Sequence, residues 1–118
     1  MKVLVLGAST NPARYSHMAG LRLQAKGHET ILVGQKNGKI GEVDIHQTTD
    51  GINDVDTITL YLNPTNQEAF RHFIKTAKPR RVIFNPGTEN PEFMEELNAD
   101  GIDAFEACTL VMLGTGQF

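Results

Sequence analysis

The most constraining feature of this chain is a set of short apolar runs with no polar alternation. The first, Val3-Leu4-Val5-Leu6, stops at Gly7. A strand wetted on one face alternates apolar and polar residues, so an unbroken run fits a strand buried on both faces, as in a parallel sheet. Similar runs follow at Thr30–Val33 (ending at Gly34), Thr57–Leu62, Val82–Phe84 and Ile102–Phe105. The polar, glycine-rich stretch 35–54 leaves room for a short edge strand near Val43–Gln47. Helical spacing fills the intervals. Arg14–Lys26 places Tyr15, Met18, Ala19, Leu21 and Ala25 on an inward face before Gly27. Asn63-Pro64 opens a helix to about Lys78 with Ala69, Phe70, Phe73, Ile74 and Ala77 inward. Asn90-Pro91 starts another, with Phe93, Met94 and Leu97 inward and Gly101 as its stop, and Thr109–Leu113 is a short terminal helix.

Strand and helix therefore alternate throughout. The expected fold is α/β: a single Rossmann-like, doubly wound domain over residues 1–118. Its mostly parallel sheet has five to six strands, helices on both faces and a core order of 3-2-1-4-5. In such sheets ligands bind beyond the carboxyl ends of the strands. That rule selects the loops Gly7–Arg14, Gly34–Lys39, Asn63–Asn66, Asn85–Asn90 and Glu106–Thr109.

Composition narrows the function. The 118 residues carry a net charge of −3, with 40% hydrophobic and 21% charged residues, values ordinary for one soluble domain. Generic nucleic-acid binding wants a basic surface, and none is encoded. No apolar run approaches the roughly 20 residues that cross a bilayer. The single cysteine, Cys108, excludes an intrachain disulfide and points to a reducing cytoplasm. The four histidines have no ligand spacing, so no metal site is expected, and no catalytic residue is assigned.

Four of the five prolines follow asparagine: Asn11-Pro12, Asn63-Pro64, Asn85-Pro86 and Asn90-Pro91. Asparagine caps helices and proline suits the first helical position, which suffices for Asn90-Pro91. A rigid loop with outward N–H groups is also an anion site, and both readings hold for the others. The first loop stands where a dinucleotide fingerprint would, but only Gly7 matches it. Ala8, Ser9, Thr10, Asn11, Arg14 and Ser16 instead supply backbone, hydroxyls and one guanidinium, a phosphate-binding set whose plainer alternative is a solvated turn. The second strand ends in Gly34-Gln35-Lys36, where an NAD site would place an acid. A lysine there favours a ribose with an extra phosphate, as in coenzyme A or NADP, unless it is simply a surface lysine. Lys78, Arg80 and Arg81 precede a strand and read as a solvated edge. Cys108 reads either as an inert buried thiol or as a thiol lining the ligand cleft.

With these residues in view, the chain resembles the small stand-alone CoA-binding domain proteins, which are similar to the nucleotide-binding domain of the succinyl-CoA synthetase alpha subunit. The resemblance covers essentially the whole chain. It is carried by Val5-Leu6-Gly7-Ala8-Ser9 with Asn11-Pro12, Arg14 and Ser16; by Val33 to Lys36 and Ile40-Gly41; by Asn63-Pro64; by Asn85-Pro86-Gly87; and by Glu106-Ala107-Cys108. Gly34-Gln35 stands where the family has Asn-Pro, and Asn85-Pro86 where it has a glutamine turn. The resemblance implies CoA or an acyl-CoA as ligand, held by a binding or regulatory module rather than an enzyme. The synthetases' catalytic histidine domain has no counterpart in a chain of this length. An NADP-dependent oxidoreductase, and a partner-binding module without a ligand, are the competing expectations. A homodimer is compatible with all three.

Overall fold

In the computed structural model, which describes residues 1–118, the first apolar run is the central strand of a seven-stranded sheet. The strands are β1 (Lys2–Leu6), β2 (Glu29–Val33), β3 (Gly38–Ile40), β4 (Val43–His46), β5 (Thr57–Leu60), β6 (Arg81–Phe84) and β7 (Asp103–Glu106), in the order β3-β4-β2-β1-β5-β6-β7. All neighbours pair in parallel except β3 with β4. The helices are α1 (Tyr15–Ala25), α2 (Pro64–Gln67), α3 (Arg71–Ala77), α4 (Pro91–Ala99) and α5 (Thr109–Gly114). No helix is long and apolar enough to cross a membrane.

The apolar run of β1 is explained by what covers it. Val3 and Val5 pack with Leu23 of α1, Leu113 of α5, and Leu32, Ile40 and Ile45. Leu4 and Leu6 face the other way, toward Ile74 of α3, Phe93 and Leu97 of α4, and Ile58 and Phe84. One strand thus feeds two cores, and alternate residues point to opposite layers.

Four expectations need correction. The sheet has seven strands rather than five to six, because Gly38–Ile40 turns back antiparallel on β4 at the edge. Three residues with a glycine and a lysine carry no readable period. The buried face of α1 is Ser16, Ala19, Gly20 and Leu23, while Tyr15 is 68% and Leu21 43% exposed. Small residues seat this helix close to the sheet: a Cβ at Gly20 would meet side-chain carbons of Ile40 and Leu32 at 3.2–3.4 Å. Hydrophobicity alone therefore selected the wrong face. The stretch 64–77 is broken by a 3₁₀ turn at Glu68–Phe70, and Ala69 is exposed. The break follows Gln67, a fully buried side chain whose Nε2 donates to the carbonyls of Leu62 and Thr88, both at 2.8 Å. Arg81 is not a solvated edge residue. It is only 6% exposed, donates from Nε to Thr57 Oγ1 at 2.9 Å and from Nη2 to the Phe118 carbonyl at 2.8 Å, and lies over the Phe118 ring.

An open parallel sheet leaves two edges that invite pairing with other chains. At one edge the Asn98 carboxamide from α4 acts as a strand surrogate, accepting from Ala104 N at 2.9 Å and donating to Ala104 O at 3.2 Å. At the other, Gln24 of α1 donates to Ile40 O and accepts from Glu42 N, closing the β3–β4 turn. Replacing Asn98 by alanine removes both edge bonds, so Asn98→Ala is expected to lower stability by about 1–2 kcal/mol. The midpoint of urea unfolding measures this directly, and an unchanged midpoint would show that water replaces the carboxamide without loss.

Candidate functional site

The loop after β1 is fastened before any ligand is considered. Gly7 N and Ala8 N both donate to the Val33 carbonyl at 2.9 Å, and Tyr61 N donates to the Leu6 carbonyl at 2.8 Å. β5 consequently ends at Leu60, two residues short of the expected Leu62, and Tyr61 crosses above Gly7. Gly7 has φ of +101°, and a Cβ there would stand 2.9 Å from the Tyr61 carbonyl carbon and oxygen. Gly34 meets the loop from the other side: its Cβ would lie 2.2 Å from the Ala8 carbonyl oxygen. The glycine at the end of β2 thus has a packing reason. The Thr10 methyl packs over Gly38 at the start of β3.

Beyond Ala8 the loop makes its own turns. Asn11 N donates to Ser9 Oγ at 3.1 Å, Ala13 N to Asn11 Oδ1 at 3.0 Å, and Arg14 N to the Asn11 carbonyl at 3.0 Å. His17 Nδ1 donates to the Ser9 carbonyl at 2.9 Å. Asn11 therefore uses its side chain inside the loop and does not cap α1. The N-cap is Arg14, in extended backbone and with no side-chain cap bond. The N–H groups of Tyr15 and Ser16 have no acceptor within the protein, and neither do those of Ser9 and Thr10. By contrast, α2 is capped by Asn63 Oδ1 on Asn66 N at 2.8 Å and α4 by Asn90 Oδ1 on Phe93 N at 3.3 Å, each with proline at the first position. Free donors at a helix start attract anions.

The charge pattern agrees. Lys2, Lys39, Arg71, Lys75 and Arg80 are ion-paired. Arg22, Lys26, Lys78 and Arg81 sit toward the amino edge of the sheet. That leaves Arg14 and Lys36, both exposed, as the cations at the carboxyl edge with no acidic partner. Gln35 is exposed beside Lys36, and its carbonyl accepts from Gln47 Nε2 at 2.9 Å.

The remaining candidates divide by depth. Asn85 is 1% exposed and fully used: Nδ2 donates to Thr59 Oγ1 at 2.7 Å and Leu60 O at 2.8 Å, and Oδ1 accepts from Thr109 N at 2.8 Å. It pins the ends of β5, β6 and α5 together from inside and has no polar atom left for a ligand. Pro86 and Gly87 lie above it, exposed, as are Asn63 and Pro64. Cys108 is a free, half-buried thiol at the N-cap of α5. Tyr61, which the sequence marked only as strand, brings a buried hydroxyl with no hydrogen-bond partner. Burial pushes its pKa up from 10.0 to about 12, and the nearby Thr109 and Thr59 hydroxyls offset part of that rise.

These features suit an anion. The uncapped α1 start, Arg14 and Lys36 supply donors and positive charge, while the Tyr61 hydroxyl is shut away from solvent beneath the same sheet edge. Two shallow surface depressions are present. One, lined by Arg22, Ala25, Lys26, Leu113 and Gly114, is between α1 and α5. The other, lined by Asn37, Gly38, Lys39, Asp44, Ile45 and His46, includes the end of the candidate loop Gly34–Lys39 and meets the loop after β1 through Gly38, against which Thr10 packs. His17 and Tyr61 escaped the sequence reading, and Gly38 entered it only as a member of the loop Gly34–Lys39. Their parts depend on which loop folds back over which strand, and no local pattern records that.

A family model described as CoA binding domain matches residues 1–114. No curated protein matches the chain. Among solved structures, an uncharacterized protein is 48% identical, with a TM-score of 0.95 over 99% of this chain and 97% of its own. A Thermus thermophilus protein superposes with a TM-score of 0.85 at 20% identity, covering 99% and 90%. A conserved hypothetical protein from Pyrococcus furiosus gives 0.80 at 26% identity, covering 93% and 97%.

Two outcomes follow from this packing. Gly34→Ala forces the Ala8 carbonyl off its seat and is expected to cost about 2 kcal/mol or more in chemical unfolding. Gly114→Ala, with nothing within 4 Å of its Cβ, is the neutral control. The raised Tyr61 pKa means that folding favours the neutral phenol. Its contribution to stability is full below 10.0 and is lost as pH rises through about 12. Unfolding measured across that range should show a decline that is absent in Tyr61→Phe.

Proposed function

From the premise that this chain belongs to the CoA-binding domain family, we propose that it binds coenzyme A or an acyl-CoA at the carboxyl edge of the sheet, as a binding or regulatory module. The diphosphate sits on the loop Gly7–Ser16 against the free N–H groups of Tyr15 and Ser16, with Arg14 as its cation. Lys36 serves the phosphate on the ribose. The exposed turns Asn63-Pro64 and Pro86-Gly87 border the remainder of the ligand. Asn85 acts from below by fixing the strand ends. Cys108 stands at the middle of the same edge, at the N-cap of α5, next to Thr109, which bonds Thr59 and Asn85.

The observation that carries this reading is the start of α1. It keeps its N–H groups unfilled while α2 and α4 are capped by asparagine, and its Arg14 has no carboxylate partner. A helix end left open beside an unpaired guanidinium is stabilised by a bound anion. No observation favours NADP chemistry over this.

CoA is expected to raise the thermal midpoint of the protein, the rise growing with the logarithm of ligand concentration above the dissociation constant, while NADP leaves it unchanged. Arg14→Ala should weaken CoA by about 1.5–3 kcal/mol, the range for a charged hydrogen bond, with the unliganded midpoint retained. Calorimetric titration of both proteins checks this. Stabilisation by NADP alone would overturn the proposal.

A further inference from the structure

We infer that His17 is a positioning residue for the nucleotide loop, an inference that rests on the CoA reading above. Its imidazole holds the Ser9 carbonyl so that the segment Ser9–Thr10 turns donors rather than an acceptor toward the ligand.

The argument starts from the carbonyls of the loop. A phosphate site built from backbone tolerates N–H groups and is opposed by any carbonyl oxygen facing the anion. The loop has three early fixation points. The Ala8 carbonyl is lodged against Gly34, where a Cβ would come within 2.2 Å, and the Thr10 methyl is lodged over Gly38. Between them, the Ser9 carbonyl meets no backbone donor. Its partner is His17 Nδ1 at 2.9 Å, from the first turn of α1. A carbonyl only accepts, so Nδ1 carries the proton and the tautomer is fixed by this bond. The Ser9 and Thr10 N–H groups on either side have no protein acceptor. His17 is half-buried, forms no ion pair, and makes this one side-chain hydrogen bond.

Asparagine can present Nδ2 close to where histidine presents Nδ1, so a positioning role makes a specific demand: His17→Asn should rescue what His17→Ala loses. A residue that merely fills space gives no such rescue. The test compares wild type, His17→Ala and His17→Asn in three measurements: amide hydrogen exchange of residues 9–13 without ligand, CoA affinity by calorimetry, and thermal midpoint. His17→Ala is expected to exchange faster in the loop and to bind CoA about fivefold more weakly, the size of one net hydrogen bond. His17→Asn should return both toward wild type. Should His17→Ala not fold, His17→Gln takes its place: it keeps a donor one bond too far out and should fall short of His17→Asn. Unchanged loop exchange and affinity in His17→Ala, or a His17→Asn no better than His17→Ala, overturns the inference. Wild type that binds no CoA overturns the CoA reading instead. The exchange measurement then decides the hold of His17 on the loop by itself: faster exchange reversed by asparagine supports it, and equal exchange refutes it.

Discussion

The Ala8 carbonyl oxygen occupies space that a Cβ at residue 34 would need, at 2.2 Å. Much of the carboxyl edge is arranged around that close approach. It requires glycine at the end of β2, and it draws the loop after β1 sideways over the sheet. With Gly7 under the Tyr61 backbone, the loop is gripped between β2 and β5. Such a grip has a functional sense. A loop whose free N–H groups are already fixed loses little entropy on meeting a phosphate, and preorganisation of that kind sharpens affinity without adding contacts.

A second layer of order comes from side-chain amides. Asn85, Gln67 and Asn90 connect the ends of β5 and β6 to the end of α2 and the starts of α4 and α5, and Asn98 and Gln24 close the sheet edges. A carboxamide carries both donor and acceptor without charge, so it satisfies two backbone groups at once in a place where a carboxylate would need a counter-ion. Arg14 and Lys36 remain as the cations of the carboxyl edge without an acidic partner.

The sheet was legible because its strands are buried on both faces: Val3–Leu6 admits almost no other reading, and the order 3-2-1-4-5 survives as β4-β2-β1-β5-β6 within the full sheet. β3 was illegible because Gly38–Ile40 owes its conformation to pairing with β4, and a three-residue strand has no period. The face of α1 was misread because close packing selected Ala19 and Gly20 over Tyr15 and Leu21. Of the candidate site, the first loop and the asparagine caps could be read from local chemistry. The burial of Asn85 could not: Asn85-Pro86 looks the same in sequence as Asn63-Pro64, yet one asparagine points into the protein and the other caps a helix. His17 and Tyr61 depend on tertiary return of the chain, which residue type does not encode.

The central claim is that the preformed loop after β1 receives the phosphates of CoA. Backbone amide NMR of the protein titrated with CoA tests it most directly. The account predicts the largest shift changes at Ser9, Thr10, Tyr15 and Ser16, with smaller ones at Gln35 and Lys36. Changes confined to the depression between α1 and α5, around Arg22, Lys26 and Leu113, with Ser9 to Ser16 unmoved, would contradict it.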